Sequence, residues 1–362
     1  MAERSSTTRR IIVGATGVLV AAVTATVVVV TMPDDSPGGS SARSPLPVDE
    51  VAARCRQADA GDRPQGTECA RSGSIVDVRL EELRPTQPSL GHDAVLYRLG
   101  RYGAEKDKVN KKYVDWCQAS GLSDAVSASP AASLTDPGSF ACELRPGQET
   151  DDSRQKMKTV VIGPQGRPYL VDGHHTITAF RELPDGGPDL KVRLRVVGNL
   201  SGLDEQTFWE RMRSRKWAWL KDHEGKQITA AQLPTGLSLG ELTDDAYRSL
   251  VYFTRDVGYT SKEVPFQEFY WGAWLRSSGK VDPKQLMTRD PATYLEAVRT
   301  AAQAQVSLPK KSVVYDGMTA KQLGRRASLS DKDLNKLSRP IDDPKPGKIA
   351  YLFAGRSIQA KR

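Results

Sequence analysis

Two of the four histidines in this 362-residue sequence stand side by side where an apolar run ends, in Tyr169-Leu170-Val171-Asp172-Gly173-His174-His175-Thr176. An imidazole can move a proton near neutral pH, donate to a phosphate oxygen, or ligate a metal as the neutral base. A carboxylate such as Asp172 can orient an imidazole or a metal-bound water. His174, His175 and Asp172 are therefore the candidate catalytic residues, and Gly173 and Thr176 the candidate phosphate-binding ones. Successive helical residues point about 100° apart, so one imidazole on a metal and the other in a different role is expected, rather than both on one ion. Mg2+ or Mn2+ is the kind of divalent metal such a site would take, although the residues alone name no cofactor. The plain structural alternative is a tight turn in which Asp172 makes local hydrogen bonds and the imidazoles are partly solvated.

A strand before the histidines and a helix after them must hold such a site. Tyr169, Leu170 and Val171 read as a buried strand, and Ile177, Ala179 and Phe180 suit a helix packed back on it. Gly173 marks the turn between them, where glycine lets the backbone approach a ligand closely. The first N–H groups of the helix and its positive dipole end favour a phosphate or another anion.

Two further blocks accompany this turn: Val78-Arg-Leu-Glu-Glu-Leu-Arg-Pro-Thr-Gln87 followed by Leu90-Gly91, and Pro265-Phe-Gln-Glu-Phe-Tyr-Trp-Gly-Ala-Trp-Leu-Arg276. With the Asp-Gly-His-His turn between them, the three blocks resemble the putative ParB-like nuclease family, within the wider group that shares the fold of ParB and sulfiredoxin. The resemblance implies a mixed α/β (α+β) domain acting on a phosphate-containing substrate, with nucleic acid a candidate partner. Arg84, Thr86, Gln87 and His92 come from the first block, and their polar character makes them candidates to line the same pocket. Pro-Thr-Gln also suits a loop-shaping role. In the third block, Glu268 and Arg276 are eight apart on a helix and read as a structural ion-pairing edge.

Fold does not fix chemistry within that group. Sulfiredoxins carry Gly-Cys-His-Arg at the turn, whereas here His174 stands in the place of the cysteine nucleophile. ParB partitioning proteins carry Gly-Glu-Arg-Arg, where this chain has His175 and Thr176 in the arginine positions. Free-serine kinases have Asp-Gly-His with an arginine two residues on, and here that residue is Thr176. A phosphodiesterase or nuclease is the leading expectation. The alternatives are a nucleotide-dependent small-molecule kinase and a non-catalytic anion-binding module.

Residues Ile11 to Thr31 are apolar apart from threonines and two glycines, long enough to cross a bilayer. Arg4, Arg9 and Arg10 precede them and Asp34 and Asp35 follow, so the remaining chain is expected outside, either membrane-anchored or secreted after cleavage of a signal peptide. The cysteines agree. Cys55, Cys69, Cys117 and Cys142 form an even set with no Cys-x-x-Cys spacing, which favours disulfides over a zinc knuckle. Four cysteines allow three pairings, and sequential pairing is the simplest. Cys117 with Cys142 would then staple the Ala/Ser/Asp/Pro-rich stretch 120–140.

The expected organisation is an export segment at 1–32, a Pro/Ser/Gly-rich linker at 33–52, the ParB-like domain at 53–278, and a helical, basic C-terminal extension at 279–362. A hydrophobic content of 38% is that of an ordinary core and excludes a membrane bundle. Alternation over 191–197 predicts a strand with one wet face, while 247–257 and 266–275 read as helical packing elements. Asp290 is expected as the N-cap of a helix reaching Gln305, with Pro291 at its first position. From Lys310 onward the chain reads as irregular or loosely attached. A net charge of +8 permits binding to polyanions without requiring it. Between Phe208 and Lys221, basic residues interleave with aromatics in a pattern suited to nucleic acid. The favoured reading of that stretch is that Phe208, Met212 and Trp219 face the core.

Overall fold

The computed structural model describes Cys55 and residues 67–262 and 264–361. The expected export segment and linker lie outside the described residues. In chain order come β1 (Ile75–Arg79), β2 (Ser89–Leu90), α1 (His92–Ala104), α2 (Lys111–Ala119), β3 (Ala125–Ala128), β4 (Phe140–Cys142), α3 (Asp151–Lys156) and β5 (Thr159–Ile162). They are followed by β6 (Pro168–Asp172), α4 (His174–Arg181), β7 (Lys191–Asn199), α5 (Glu205–Ser214), β8 (Thr243–Asp244) and α6 (Ala246–Thr254). The last elements are α7 (Gln267–Ser278), α8 (Pro291–Ser307), β9 (Val313–Tyr315), β10 (Met318–Thr319), α9 (Asp331–Leu337) and α10 (Lys348–Gln359).

The main sheet has the order β1-β7-β5-β6, with β7 and β5 parallel and the outer pairs antiparallel. Every residue of β5 is buried, so this strand must be covered on both faces. Its period-two alternation divides the work. Val160 and Ile162 enter the larger core, which includes Leu170, Ile177, Phe180, Leu194 and Val196. Val161 points the other way, into a small cluster with Phe208, Met212 and Ala218. Phe208 and Met212 are four residues apart on α5 and so share one helical face. β7 alternates along its length as its sequence predicts.

A second core, built from α6, α7, α8, α9 and α10, adjoins the first through α1. Leu99 and Tyr102 of α1 pack towards the sheet, while Ala94 and Tyr97 pack towards the helices. α1 and α10 cross with almost no space between their backbones. A Cβ on Gly100 would lie 1.8 Å from the Tyr351 carbonyl oxygen, and one on Gly355 would lie 1.8 Å from that of Leu96. Arg356 of α10 also forks onto Asp93 of α1 at 2.8 and 2.9 Å, and Tyr294 Oη donates to the same carboxylate at 2.9 Å. The expectation of a loose tail after Lys310 is thus corrected: α9 and α10 are core elements. Their short apolar sets, such as Ile349, Tyr351 and Leu352, are buried against other helices.

Helix α8 starts as its sequence predicts, with Asp290 accepting from Thr293 N–H at 2.9 Å and Pro291 first in the helix. Both disulfides follow the sequential pairing, Cys55–Cys69 and Cys117–Cys142, with Cα atoms 5.2 and 5.7 Å apart. The second ties α2 to the β3/β4 hairpin. Among the described residues, no helix is long and apolar enough to cross a membrane.

Candidate functional site

β6 ends at Asp172 and α4 begins at His174, leaving Gly173 alone to turn the chain. Its φ of +106° is a conformation L side chains rarely adopt, and a Cβ there would come within 2.5 Å of the Lys158 side chain. Like any helix, α4 leaves its first N–H groups without intrahelical acceptors. His174 and His175 supply the first two of them.

The two imidazoles are placed differently. His174 is buried, and its Nε2 accepts the Thr86 N–H at 3.4 Å, so the ring proton belongs on Nδ1. Thr86 is fully engaged: its hydroxyl donates to the Leu170 carbonyl at 2.7 Å and its carbonyl accepts from Trp219 N–H at 2.9 Å. Thr86 and His174 therefore lock the β1–β2 connection, the end of β6 and the segment after α5 to one another. His175 is half-buried, yet its Nε2 is sealed from solvent with no hydrogen-bond partner among the described residues. Burial lowers the His174 pKa to about 3, with Asp172 opposing and Arg248 adding to the fall. Burial, then Arg248 and Arg98, hold His175 well below the ordinary histidine range. Both rings are neutral near pH 7.

The wall facing the turn comes from the helices. Arg98 of α1, Arg248 and Tyr252 of α6, Arg255 at the end of α6 and Glu268 of α7 line the same cavity of about 540 Å3 as Asp172, Gly173, His174, His175 and Thr176. Arg248 is only 4% exposed, its Nε and one terminal nitrogen have no acceptor among the described residues, and its guanidinium lies 3.5 Å from the centre of the Phe269 ring. Burial lowers its pKa from the ordinary arginine value. The Tyr252 ring gathers Arg98 at 5.5 Å, Arg255 at 5.4 Å and Lys348 at 5.3 Å, with the His175 ring 6.2 Å away. Glu268 is ion-paired to Arg255. Although burial pushes its carboxyl up, Arg255, Arg248 and Arg98 prevail and hold it below the usual carboxylate value. With Lys158, Arg215, Lys216 and Lys262, the described lining carries seven cationic side chains against the carboxylates of Asp172 and Glu268. Such a cavity favours an anion.

The structure thus brings Asp172, Gly173, His174, His175, Thr176, Thr86 and Gln87 to one cavity. Gln87 spends its amide on the Ser89 carbonyl at 2.8 Å. Arg84 and His92 lie elsewhere. The Arg84 guanidinium donates to the Thr235 carbonyl, and His92 Nε2 sits 2.7 Å from the Leu242 carbonyl in a separate cavity with Asp93 and Asp244. Asp172 is exposed and contacts Lys158 at 3.4 Å, not an imidazole. Among the described residues, no three His, Cys, Asp or Glu side chains converge as metal ligands. The cation-rich lining does not fit Mg2+ or Mn2+ held by protein groups alone.

Sequence reasoning missed Arg98, Arg248, Tyr252 and Arg255. The signal was present in α6, where Arg248, Tyr252 and Arg255 recur at helical spacing within an apolar helix, so one face carries charge into a buried place. The basic-aromatic stretch splits. Phe208 and Met212 are core, and Trp219, packed 4.8 Å from Phe269 against the second core, also lines the cavity beside Arg215, Lys216 and Trp217. Arg276 is structural, bound to Asp245 at 2.8 Å, while Glu268 pairs with Arg255 inside the site.

Residues 76–277 match the family described as putative ParB-like nuclease. Among solved structures, protein Atu1540 from Agrobacterium tumefaciens is similar at 22% identity, with a TM-score of 0.44, covering 65% of this chain and 93% of that one. No curated protein matches. The family match spans more than half of the sequence and contains the turn, the Thr86 loop and the arginine-bearing helices α1, α6 and α7, so this chain belongs to the putative ParB-like nuclease family.

Proposed function

We propose that the protein is an extracytoplasmic phosphodiesterase in which the arginine wall binds the phosphodiester and His175 handles the proton. One observation carries this reading: His175, whose buried Nε2 has no partner among the described residues, lines a cavity whose described charges are mostly cationic. A buried polar atom without a partner is uncommon and is best satisfied by a ligand or its attacking water. Arg248 and Arg255 neutralise the phosphoryl oxygens as charge develops on them, in a site already organised to receive it. Neutral His175 takes a proton from a water as its oxygen bonds to phosphorus. The ester P–O bond breaks, and the departing alkoxide recovers that proton from the imidazolium. His174 is a positioning residue, because its Nε2 is occupied by Thr86 N–H. The two disulfides are compatible with an oxidising location outside the membrane.

His175→Ala should cut cleavage of labelled single- and double-stranded oligonucleotides by about 10²-fold or more while phosphate binding persists. Equal rates for wild type and variant would remove His175 from the mechanism. A wild type that binds phosphate but cleaves nothing would favour the anion-binding module, which the Asp172–Lys158 pair also suits because it leaves no carboxylate on either imidazole. For the location, a periplasm-type reporter fused after the described domain should be active and a cytoplasmic one silent, and the reverse would contradict export.

A further inference from the structure

On the far side of Arg255 from the turn lies a second basic cavity of about 660 Å3, and Arg255 lines both. Lys106 and Lys108 enter it from the α1–α2 connection, and Lys345 and Lys348 from the start of α10. Two of its other cations are already neutralised: Arg101 binds Asp107 at 2.6 Å and Lys336 binds Asp333 at 2.8 Å. Asp256 is the remaining carboxylate of the lining. Lys106, Lys108 and Lys345 are exposed and have no ion pair among the described residues. Between the two cavities, Arg255 Nε is buried without an acceptor among the described residues, and Lys348 is pressed against the Tyr252 ring beside Arg98 and Arg255. Glu268 answers Arg255, and the remaining like charges round one ring are costly unless a further anion joins them.

We infer that this second cavity is a phosphate subsite for the same single-stranded nucleic acid whose reacting phosphodiester occupies the turn cavity, with Arg255 shared between neighbouring stretches of backbone. The inference rests on the phosphodiesterase reading and adds the substrate class. A ligand with one phosphate would use only one of the two cavities, whereas a strand with repeated charges uses both. Trp217 lines the turn cavity half-buried on Gly198, where a Cβ would lie 2.8 Å from the indole, and the Arg215 guanidinium lies 5.9 Å from its ring centre. An aromatic ring paired with a guanidinium suits a nucleobase polymer. Lys336, Lys345 and Lys348 fall after residue 277, outside the family match, so the C-terminal segment supplies one side of the second subsite, and Lys106, Lys108 and Arg255 inside the match supply the other.

The test is fluorescence anisotropy of labelled thymidine strands with the purified full chain, comparing a dinucleotide with a long strand. Wild type should bind the long strand more tightly. In the K106Q/K108Q/K345Q variant, whose substitutions are all on exposed side chains, the dinucleotide affinity should hold while the long-strand affinity falls about tenfold. The slope of log K against log salt should flatten by about 0.7 for each phosphate that the variant no longer neutralises. An unchanged ratio between the two strands, or a wild type indifferent to length, overturns the subsite. Equal competition by base-free polyglycerol phosphate overturns the assignment to nucleic acid. Cleavage is read separately. A length-dependent wild type that does not hydrolyse retains the subsite and loses the phosphodiesterase, and a hydrolysing wild type with no length dependence does the reverse.

Discussion

The wall of the turn cavity built by β6 and α4 is assembled from consecutive residues, whereas the opposite wall combines Arg98 of α1 with Arg248, Arg255 and Glu268, which come from α6 and α7 much later in the chain. Beside the exposed Asp172, which faces Lys158, the first wall offers neutral groups: two uncharged imidazoles and the N–H groups at a helix start. The second offers fixed positive charge with few carboxylates to answer it. The contrast separates two tasks that the Asp-Gly-His-His motif, taken alone, would combine. On the proposed reading, proton transfer belongs to the local wall and holding the anion to the assembled one.

The sharpest way to break this division is Arg248→Met. If the helical wall binds the phosphodiester, cleavage should fall by about 10²- to 10³-fold, as for loss of one preorganised charge donor. Stability should hold or rise, because a buried guanidinium with unanswered nitrogens is removed. Stopped cleavage assays with thermal melts read both, and a large fall in melting temperature with unchanged rate would mean that Arg248 serves the fold instead.

His174→Ala should do the opposite. It leaves the buried Thr86 N–H unsatisfied and opens the contact between the two loops, at a cost of about 1–3 kcal/mol in urea unfolding. An unfolding midpoint equal to that of wild type would show that the Thr86 contact is unimportant. A partly solvated turn would have tolerated the change, but the ring is buried.

The smallest effect is the most specific to the local wall. The folded-state pKa of His174, about 3, lies below its unfolded value, so between the two the unfolded chain binds a proton that the native protein refuses. Its contribution is complete above about pH 6.5 and is lost as pH falls from there towards the folded value, at up to about 1.4 kcal/mol per pH unit. His175, shifted in the same direction, adds to the loss. Urea melts at successive pH values should show His174→Gln flattening this acid limb. A limb of unchanged slope would place the acid sensitivity outside the imidazoles.

The same contrast explains what could be read from sequence. The strand, the glycine turn, α4, the Asp290 cap and the alternation of β7 are local patterns set by periods of two and 3.6 residues, and they appear where those patterns place them. Arg84 and His92 were grouped with the turn by their polarity, but polarity does not give direction. His92 at the start of α1 meets the Leu242 carbonyl, and Arg84 reaches the Thr235 carbonyl. The arginine wall was illegible for the converse reason: its members meet only once α1, α6 and α7 have packed. Lysine and arginine after residue 310 read as a solvated tail because single residues such as Gly355 and Arg356, which seat α10, carry no periodic signal.

That α1–α10 crossing also sets a timetable. Gly100 and Asp93 must wait for Gly355 and Arg356, 263 residues after Asp93, before the helices can close. Lys348 reaches the Tyr252 ring on the same helix. A chain without α10 lacks this backing of the Tyr252 ring, although every described residue that lines the turn cavity lies at or before Phe269. The last helix therefore bears on the turn cavity from behind, through α1 and the Tyr252 ring, and not through the lining itself.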